Sequence, residues 1–230
     1  MQKTFHQIRQ CTNPSCQFRF PALSGQPGAN RCPNCGAATE IVITTFPNLK
    51  PETQNQKPVG PEVEVLLDNI RSTFNVGSMF RTADGAQIRH VHLCGITPSP
   101  LHPKIAKTSL GAESSLPWTH HPNGLSAARA MKQRGFRLWA LEGGERAEPL
   151  FNTALELRSA PILLVVGNEI SGVDPGILEL CEKTLWIPMM GIKRSLNVAV
   201  AFGIATYYLR YASGTGSNGN KMFPQDRFSE

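Results

Sequence analysis

Asn69-Ile70-Arg71-Ser72-Thr73-Phe74-Asn75-Val76-Gly77-Ser78-Met79-Phe80-Arg81-Thr82-Ala83 follows directly on the apolar run Val63–Leu67. Far along the chain, Gly167-Asn168-Glu169 follows the apolar run Pro161–Val166. A third stretch, Ile187-Pro188-Met189 with Ser195-Leu196-Asn197, closes the run that begins at Thr184. In each, polar side chains or glycines come immediately after a strand that reads as buried. Open α/β sheets bind their ligands at those strand ends.

Working outward, apolar strands are expected at Val63–Leu67, His90–Gly95, Arg137–Leu141, Pro161–Val166 and Thr184–Ile187. Helices are expected at Val76–Ala86, Leu125–Arg134, Pro175–Cys181 and Leu196–Tyr211. Such alternation predicts an α/β fold, a mainly parallel sheet with helices on both faces. Asp174-Pro175 reads as a helix start, with Asp174 at the N-cap. The last helix is apolar almost all round and therefore reads as buried. Residues 47–61 hold Pro47, Pro51, Pro58 and Pro61 among polar side chains, the composition of an extended linker. They divide a small module, 1–46, from a main domain, 62–212. Residues 213–230 are rich in Gly, Ser and Asn and read as a flexible tail.

The chain has 230 residues, a formal net charge of +6 and a pI near 9.1. That charge fits either a basic soluble protein or a partner of polyanions. Met1–Gln10 has no apolar segment of the secretory kind. The longest apolar stretch, Leu196–Leu209, is too short for a membrane span. A cytoplasmic protein is expected, with its thiols reduced.

Four of the six cysteines fall in the first module, as Cys11 with Cys16 and Cys32 with Cys35. Two short cysteine turns separated by a hairpin's length predict a zinc ribbon with a structural zinc on all four thiolates. Unliganded or disulfide-bonded cysteines are the alternative. Cys94 and Cys181 read as packed thiols. Lys3, Arg9, Arg19 and Arg31 against Glu40 alone leave the module positively charged. Phe18 and Phe20 offer stacking surfaces for unpaired bases, or else a small core.

Read by themselves, the polar residues after the strands have structural uses. Asn75 suits a helix start. Arg81, six residues on, suits a surface ion pair. Glu169 suits a helix start or a loop. Ser195 would cap the last helix, with Asn197 in its first turn.

Taken together, the three stretches resemble the signature motifs of the SPOUT superfamily, in its SpoU/TrmH branch of RNA ribose 2′-O-methyltransferases. Motif one is Asn69–Ala83, motif two Leu164–Gly172 and motif three Ile187–Ala201; Ser109-Leu110-Gly111-Ala112-Glu113 with Pro117 is a lesser match. The likeness covers roughly residues 62–212 and does not reach 1–46. It implies a C-terminal trefoil knot, threaded around 167–172 and 188–196, although knots are rare. It implies S-adenosylmethionine as methyl donor, tRNA or rRNA as substrate, and a homodimer packed through the last helix. It assigns Asn75, Arg81, Glu169, Ser195 and Asn197 to the catalytic centre. Leu141, Glu142, Gly167, Asn168, Ile187, Met189 and Leu196 fall to the cofactor. Arginine is a poor general base, so Arg81 is expected to bind the phosphate beside the target and polarise the hydroxyl, while Glu169 orients it or meets the ribose. Two other classes compete. A catalytically idle RNA-binding protein would have lost some of these residues. A nucleotide-binding dehydrogenase would carry a glycine fingerprint after the first strand, which is missing.

Overall fold

The computed structural model describes residues 5–45, 60–153, 155 and 160–212. The expected tail, 213–230, and residues 47–59 of the expected linker lie outside them. The chain divides into two compact units, Met1–Gln56 and Lys57–Glu230.

The first unit is a three-stranded antiparallel sheet of β1 (His6–Cys11), β2 (Arg19–Leu23) and β3 (Thr39–Thr45), with β1 in the centre. A bulge between Ile8 and Arg9 shifts the β1–β3 register. Its buried apolar residues, among those described, are only Cys11, Ala22 and Cys32. Three such small side chains bury too little surface to offset chain entropy, so the unit needs a cross-link.

The second unit is a seven-stranded sheet in the order β6-β5-β4-β9-β7-β10-β8. The strands are β4 (Val63–Asp68), β5 (Val91–Cys94), β6 (Trp118–His121), β7 (Arg137–Leu141), β8 (Glu148–Pro149), β9 (Ile162–Val166) and β10 (Lys183–Trp186). Every pairing is parallel. The central strand β9 is buried throughout, which explains why its sequence is unbroken Ile, Leu and Val. The helices are α1 (Thr73–Gly85), α2 (Ala106–Ser109), α3 (Ala112–Ser115), α4 (Gly124–Gln133), α5 (Pro175–Leu178) and α6 (Val198–Tyr211).

Helices cover both faces. On one, α1 buries Val76, Met79, Phe80 and Ala83, and α6 buries Phe202, Ala205, Thr206 and Leu209. Both sets recur at i, i+3, i+4, i+7, a single stripe per helix. On the other, Ala127, Ala128 and Met131 of α4 and Ile177 of α5 meet Leu66, Leu163 and Val165. Within the single chain, Val200, Tyr207 and Tyr211 of α6 stay 51%, 47% and 41% exposed, so its own core covers one stripe and a second apolar face looks outward.

Boundaries moved in instructive ways. The α1 helix starts at Thr73 because the Ser72 side chain accepts the Asn75 backbone N–H; Asn75 is three residues inside and is not the cap. Asn197 caps α6, accepting from Ala199 and Val200 at 2.9 and 3.4 Å, so Ser195 is not its cap and Asn197 is not in its first turn. The Asp174 cap is as expected, accepting from Gly176 N at 2.7 Å, but α5 stops at Leu178 and leaves Cys181 beyond it. The edge strands β6 and β8 went unread: Trp118–His121 is largely polar, and Glu148–Pro149 is two residues long.

The end of the linker is tied down. Buried Arg210 donates to the carbonyls of Ala86 and Pro61, and Gly60 N donates to Arg210 O at 3.0 Å. Among the described residues, no helix is long and apolar enough to cross a membrane.

Candidate active site

Parallel strands place all their C-terminal ends along one edge. From β4 the chain runs outward through β5 and β6; β7 then returns on the far side of β9. A crevice opens where the direction reverses. There lies a cavity of about 480 Å³, lined by the ends of β7 (Leu141, Glu142), β9 (Val166, Gly167) and β10 (Trp186, Ile187), and by residues 194–198. That size suits a small-molecule ligand.

Its floor is a closed turn after β9. Asn168 and Gly172 exchange backbone hydrogen bonds, each 3.0 Å. The Asn168 side chain accepts from Ile170 and Ser171 N–H and donates to Asn69 O at 2.7 Å. Gly172 holds φ at +74°, a conformation that favours glycine. A Cβ on Gly167 would meet Val173 N at 2.2 Å, so only glycine fits where this turn crosses the strand end. Glu142 reaches over from β7 and accepts from Val173 N at 3.0 Å. Asp68, 3% exposed at the end of β4, accepts from Asp174 N at 3.2 Å. Burial, followed by the Asp174 charge, keeps its carboxyl above the ordinary range, although the Asp174 N–H and the Asn69 amide pull it down.

At the rim, a chain of side chains joins three distant segments. Glu169 accepts from Arg71 N at 2.9 Å, Ser72 N at 3.2 Å and Asn75 Nδ2 at 3.0 Å. Asn197 Nδ2 donates to Asn75 Oδ1 at 3.2 Å. Burial raises the Glu169 carboxyl, but the Arg71 amide, the Asn75 side chain and the Ser72 amide outweigh it and leave the pKa below the usual range. Its place at the N-terminus of α1 suits a negative charge.

The SpoU rRNA methylase model matches residues 62–207, which contain the cavity, the turn and the rim. The chain belongs to the SpoU rRNA methylase family. Over 148 residues it is 32% identical to a 23S rRNA guanosine 2′-O-methyltransferase of Bacillus subtilis, covering 64% of this chain and 57% of the relative. It is 29% identical over 147 residues to a tRNA guanosine 2′-O-methyltransferase of Thermus thermophilus, covering 64% and 73%. Among solved structures it is similar to an AdoMet-bound rRNA methyltransferase of Sinorhizobium meliloti, with TM-score 0.60, 25% identity, and coverage of 71% and 61%. The A. aeolicus TrmH/SpoU tRNA modifying enzyme gives TM-score 0.58 at 26% identity, covering 66% and 75%. The match thus spans little more than half of the Bacillus relative.

In this SpoU-family chain, all seven residues expected at the cofactor, Leu141, Glu142, Gly167, Asn168, Ile187, Met189 and Leu196, line the cavity. Two of them are also engaged internally: Glu142 holds the turn, and Asn168 spends both side-chain ends on the backbone. Asn75, Glu169 and Asn197 come together at the rim; Ser195 lines the cavity and is exposed. Arg81 stands apart. It is exposed on α1, away from the cavity lining, and makes no hydrogen bond or ion pair among the described residues. The carboxylate of Glu169 therefore orients the start of α1 and not Arg81. Sequence reasoning missed Arg194, which lines the cavity next to Ser195, and Asp68 beneath the turn. Arg194 was readable as a cation beside motif three; Asp68 was readable as a polar residue at a strand end, but its partner, Asp174 N, is 106 residues away and depends on strand order.

In the first unit the Sγ atoms of Cys11, Cys16, Cys32 and Cys35 all lie within 4.8 Å of one another. Cys11 and Cys35 are 3.5 Å apart, and Cys16 and Cys32 3.8 Å, far beyond a disulfide bond of about 2.0 Å. Burial pushes the Cys11 thiol up to about 12. The Asn34 amide and the Phe18 N–H hold Cys16 down, to about 6.

Proposed function

We propose that this chain transfers a methyl group from S-adenosylmethionine to a ribose 2′-hydroxyl of tRNA or rRNA, in the cytoplasm. The observation that carries the reading is the rim chain Asn197–Asn75–Glu169. It joins three motifs at the mouth of a cavity set at the strand ends. The cofactor supplies an electrophilic methyl, and the chain's own residues supply position.

The cavity fits the cofactor's chemistry. Leu141, Ile187 and Leu196 offer apolar walls and backbone groups for a purine, and Gly167 lets the ligand approach the backbone closely. Ser195 and Arg194 stand at the same mouth, exposed to an incoming ribose. The planar guanidinium of Arg81 suits phosphate. It reaches the chemistry from outside the cavity, either on the RNA or against a cofactor bound by a second copy. The exposed faces of α1 and α6 support a homodimer: Phe74 is 56% exposed beside Val200, in a groove with Ala199, Gly203 and Ile204. Family membership extends the fold reading to a trefoil knot through 167–172 and 188–196. Residues 1–46 are read as an independent ribbon on their cysteine spacing, and 62–212 as the catalytic domain.

The ribbon's four sulfurs fit zinc. At a Zn–S length of about 2.3 Å, thiolates at tetrahedral corners lie about 3.8 Å apart, against 3.5 and 3.8 Å here. Their role is structural, as four protein ligands leave no open position.

The test is calorimetric titration of S-adenosylmethionine, followed by transfer of a labelled methyl to cellular RNA and identification of the labelled nucleoside. A 2′-O-methylnucleoside supports the reading. Cofactor binding with label on a base, or none, overturns it.

A further inference from the structure

In antiparallel strands, directly opposed side chains share a face. Phe20, Arg9 and Ile41 therefore form one row across the ribbon sheet. Cys11 N donates to Phe18 O at 2.9 Å, which continues the register and puts Phe18 in the next row on the same face, with Cys11 and Thr39. The rings of Phe18 and Phe20 lie 6.1 Å apart, inclined at 33°. They do not form a core: Phe18 is 42% exposed and Phe20 only half-buried.

Between them and Ile41, the Arg9 guanidinium is held by its own face. Nε and Nη2 donate to Thr39 Oγ1 and O at 2.9 and 3.1 Å, and Nη1 to Gln7 Oε1 at 3.3 Å. A guanidinium has five N–H donors, so two remain for a ligand. Being already fixed, it loses little freedom on binding. The unit's one described carboxylate, Glu40, faces Gln10 in the row that also holds Arg19, on the opposite side of the sheet. Among the described residues, the aromatic face thus carries a guanidinium and no carboxylate.

We propose that this face is a stacking platform for unpaired RNA nucleotides. The rings take base faces, and Arg9 takes a phosphate or a base edge. Single strands are favoured over duplex because stacked, paired bases do not expose their faces. The inference rests on the methyltransferase reading for its choice of RNA as the polyanion, and it names a recognition surface that the catalytic motifs do not include.

The test uses the full chain with its metal and no S-adenosylmethionine. The probes are a fluorescent mixed-sequence oligoribonucleotide and the same strand annealed to its complement. The variant F18L/F20L keeps apolar bulk and removes the π faces. Affinity for the unpaired strand should fall by about ten-fold or more, since aromatic stacking commonly contributes that much per base. Affinity for duplex should change little, as should zinc content and cofactor affinity. Unchanged single-strand affinity, or equal losses for single strand and duplex, overturns the platform; a protein partner is then the better occupant. If the leucine variant loses zinc, Phe18→Trp decides: tighter single-strand binding supports the proposal, and unchanged or weaker binding overturns it. Methyl transfer is assayed separately, so an inactive enzyme that still shows the single-strand loss refutes the activity and not the platform.

Discussion

The amide of Asn75 has no choice about which way it points. Asn197 Oδ1 is committed to the free N–H groups of α6, so its Nδ2 must face Asn75 and can only donate. Asn75 must then present Oδ1 to Asn197 and Nδ2 to Glu169. Against burial, the Arg71 N–H, this fixed Asn75 amide and the Ser72 N–H hold the Glu169 carboxyl below the usual range, which gives a sign for pH dependence. A carboxylate with a depressed folded pKa contributes its stability above the unfolded value, about 4.3. That contribution is lost as pH falls through the lower folded value. Glu169→Gln should therefore cost stability near neutrality and progressively less in acid, read from denaturant midpoints at a series of pH values; a pH-independent difference would contradict it. Arg81 gives the second prediction at this scale. Because it lies off the cavity lining, Arg81→Ala should abolish methyl transfer and leave S-adenosylmethionine affinity within a few-fold of the parent. Arg81→Lys should fail too, since an ammonium lacks the planar fork. Near-normal turnover by the alanine variant would remove Arg81 from the mechanism.

At the level of elements, each motif is a strand end followed by a turn or a helix start, and the two kinds were legible to different degrees. The strand positions followed from unbroken apolar runs, and Arg137–Leu141 matched to the residue. The Asp174 cap followed from the proline after it, but the caps of α1 and α6 did not, because Ser72, Asn75, Ser195 and Asn197 are all good capping residues and only the backbone path selects among them. The turn after β9 was visible as Gly167-Asn168-Glu169, but the hold that Glu142 and Asp68 have on it depends on strand order, which local sequence does not encode. Asn197 serves as helix cap and as rim residue at once. Asn197→Ala should cost about 1 kcal/mol of stability through the cap, measured by urea unfolding, and should also lower turnover by freeing Asn75. A variant with full turnover would separate the rim from catalysis.

For the whole molecule, two units of different kinds are joined by a proline-rich stretch. The larger has a two-faced core; the smaller buries only Cys11, Ala22 and Cys32 among its described apolar residues and brings four cysteines together. Chelation at neutral pH should remove one zinc per chain, unfold the ribbon and leave cofactor affinity unchanged, because every cavity residue lies in the second unit. Elemental analysis and calorimetry before and after treatment read both quantities. Metal well below one per chain in protein purified without added zinc would contradict the ribbon. The apolar outer face of α6 predicts a dimer in solution, and a charge there, as in Val200→Glu, should yield monomers in sedimentation. A parent that is already monomeric would assign that face to something else. The central claim, ribose methylation of RNA, is tested most directly by mapping 2′-O-methyl sites across total RNA from cells with the gene, without it, and complemented by parent or by Arg81→Ala. The expected result is at least one site lost on deletion, restored by the parent and not by Arg81→Ala. Identical maps in all four would contradict it.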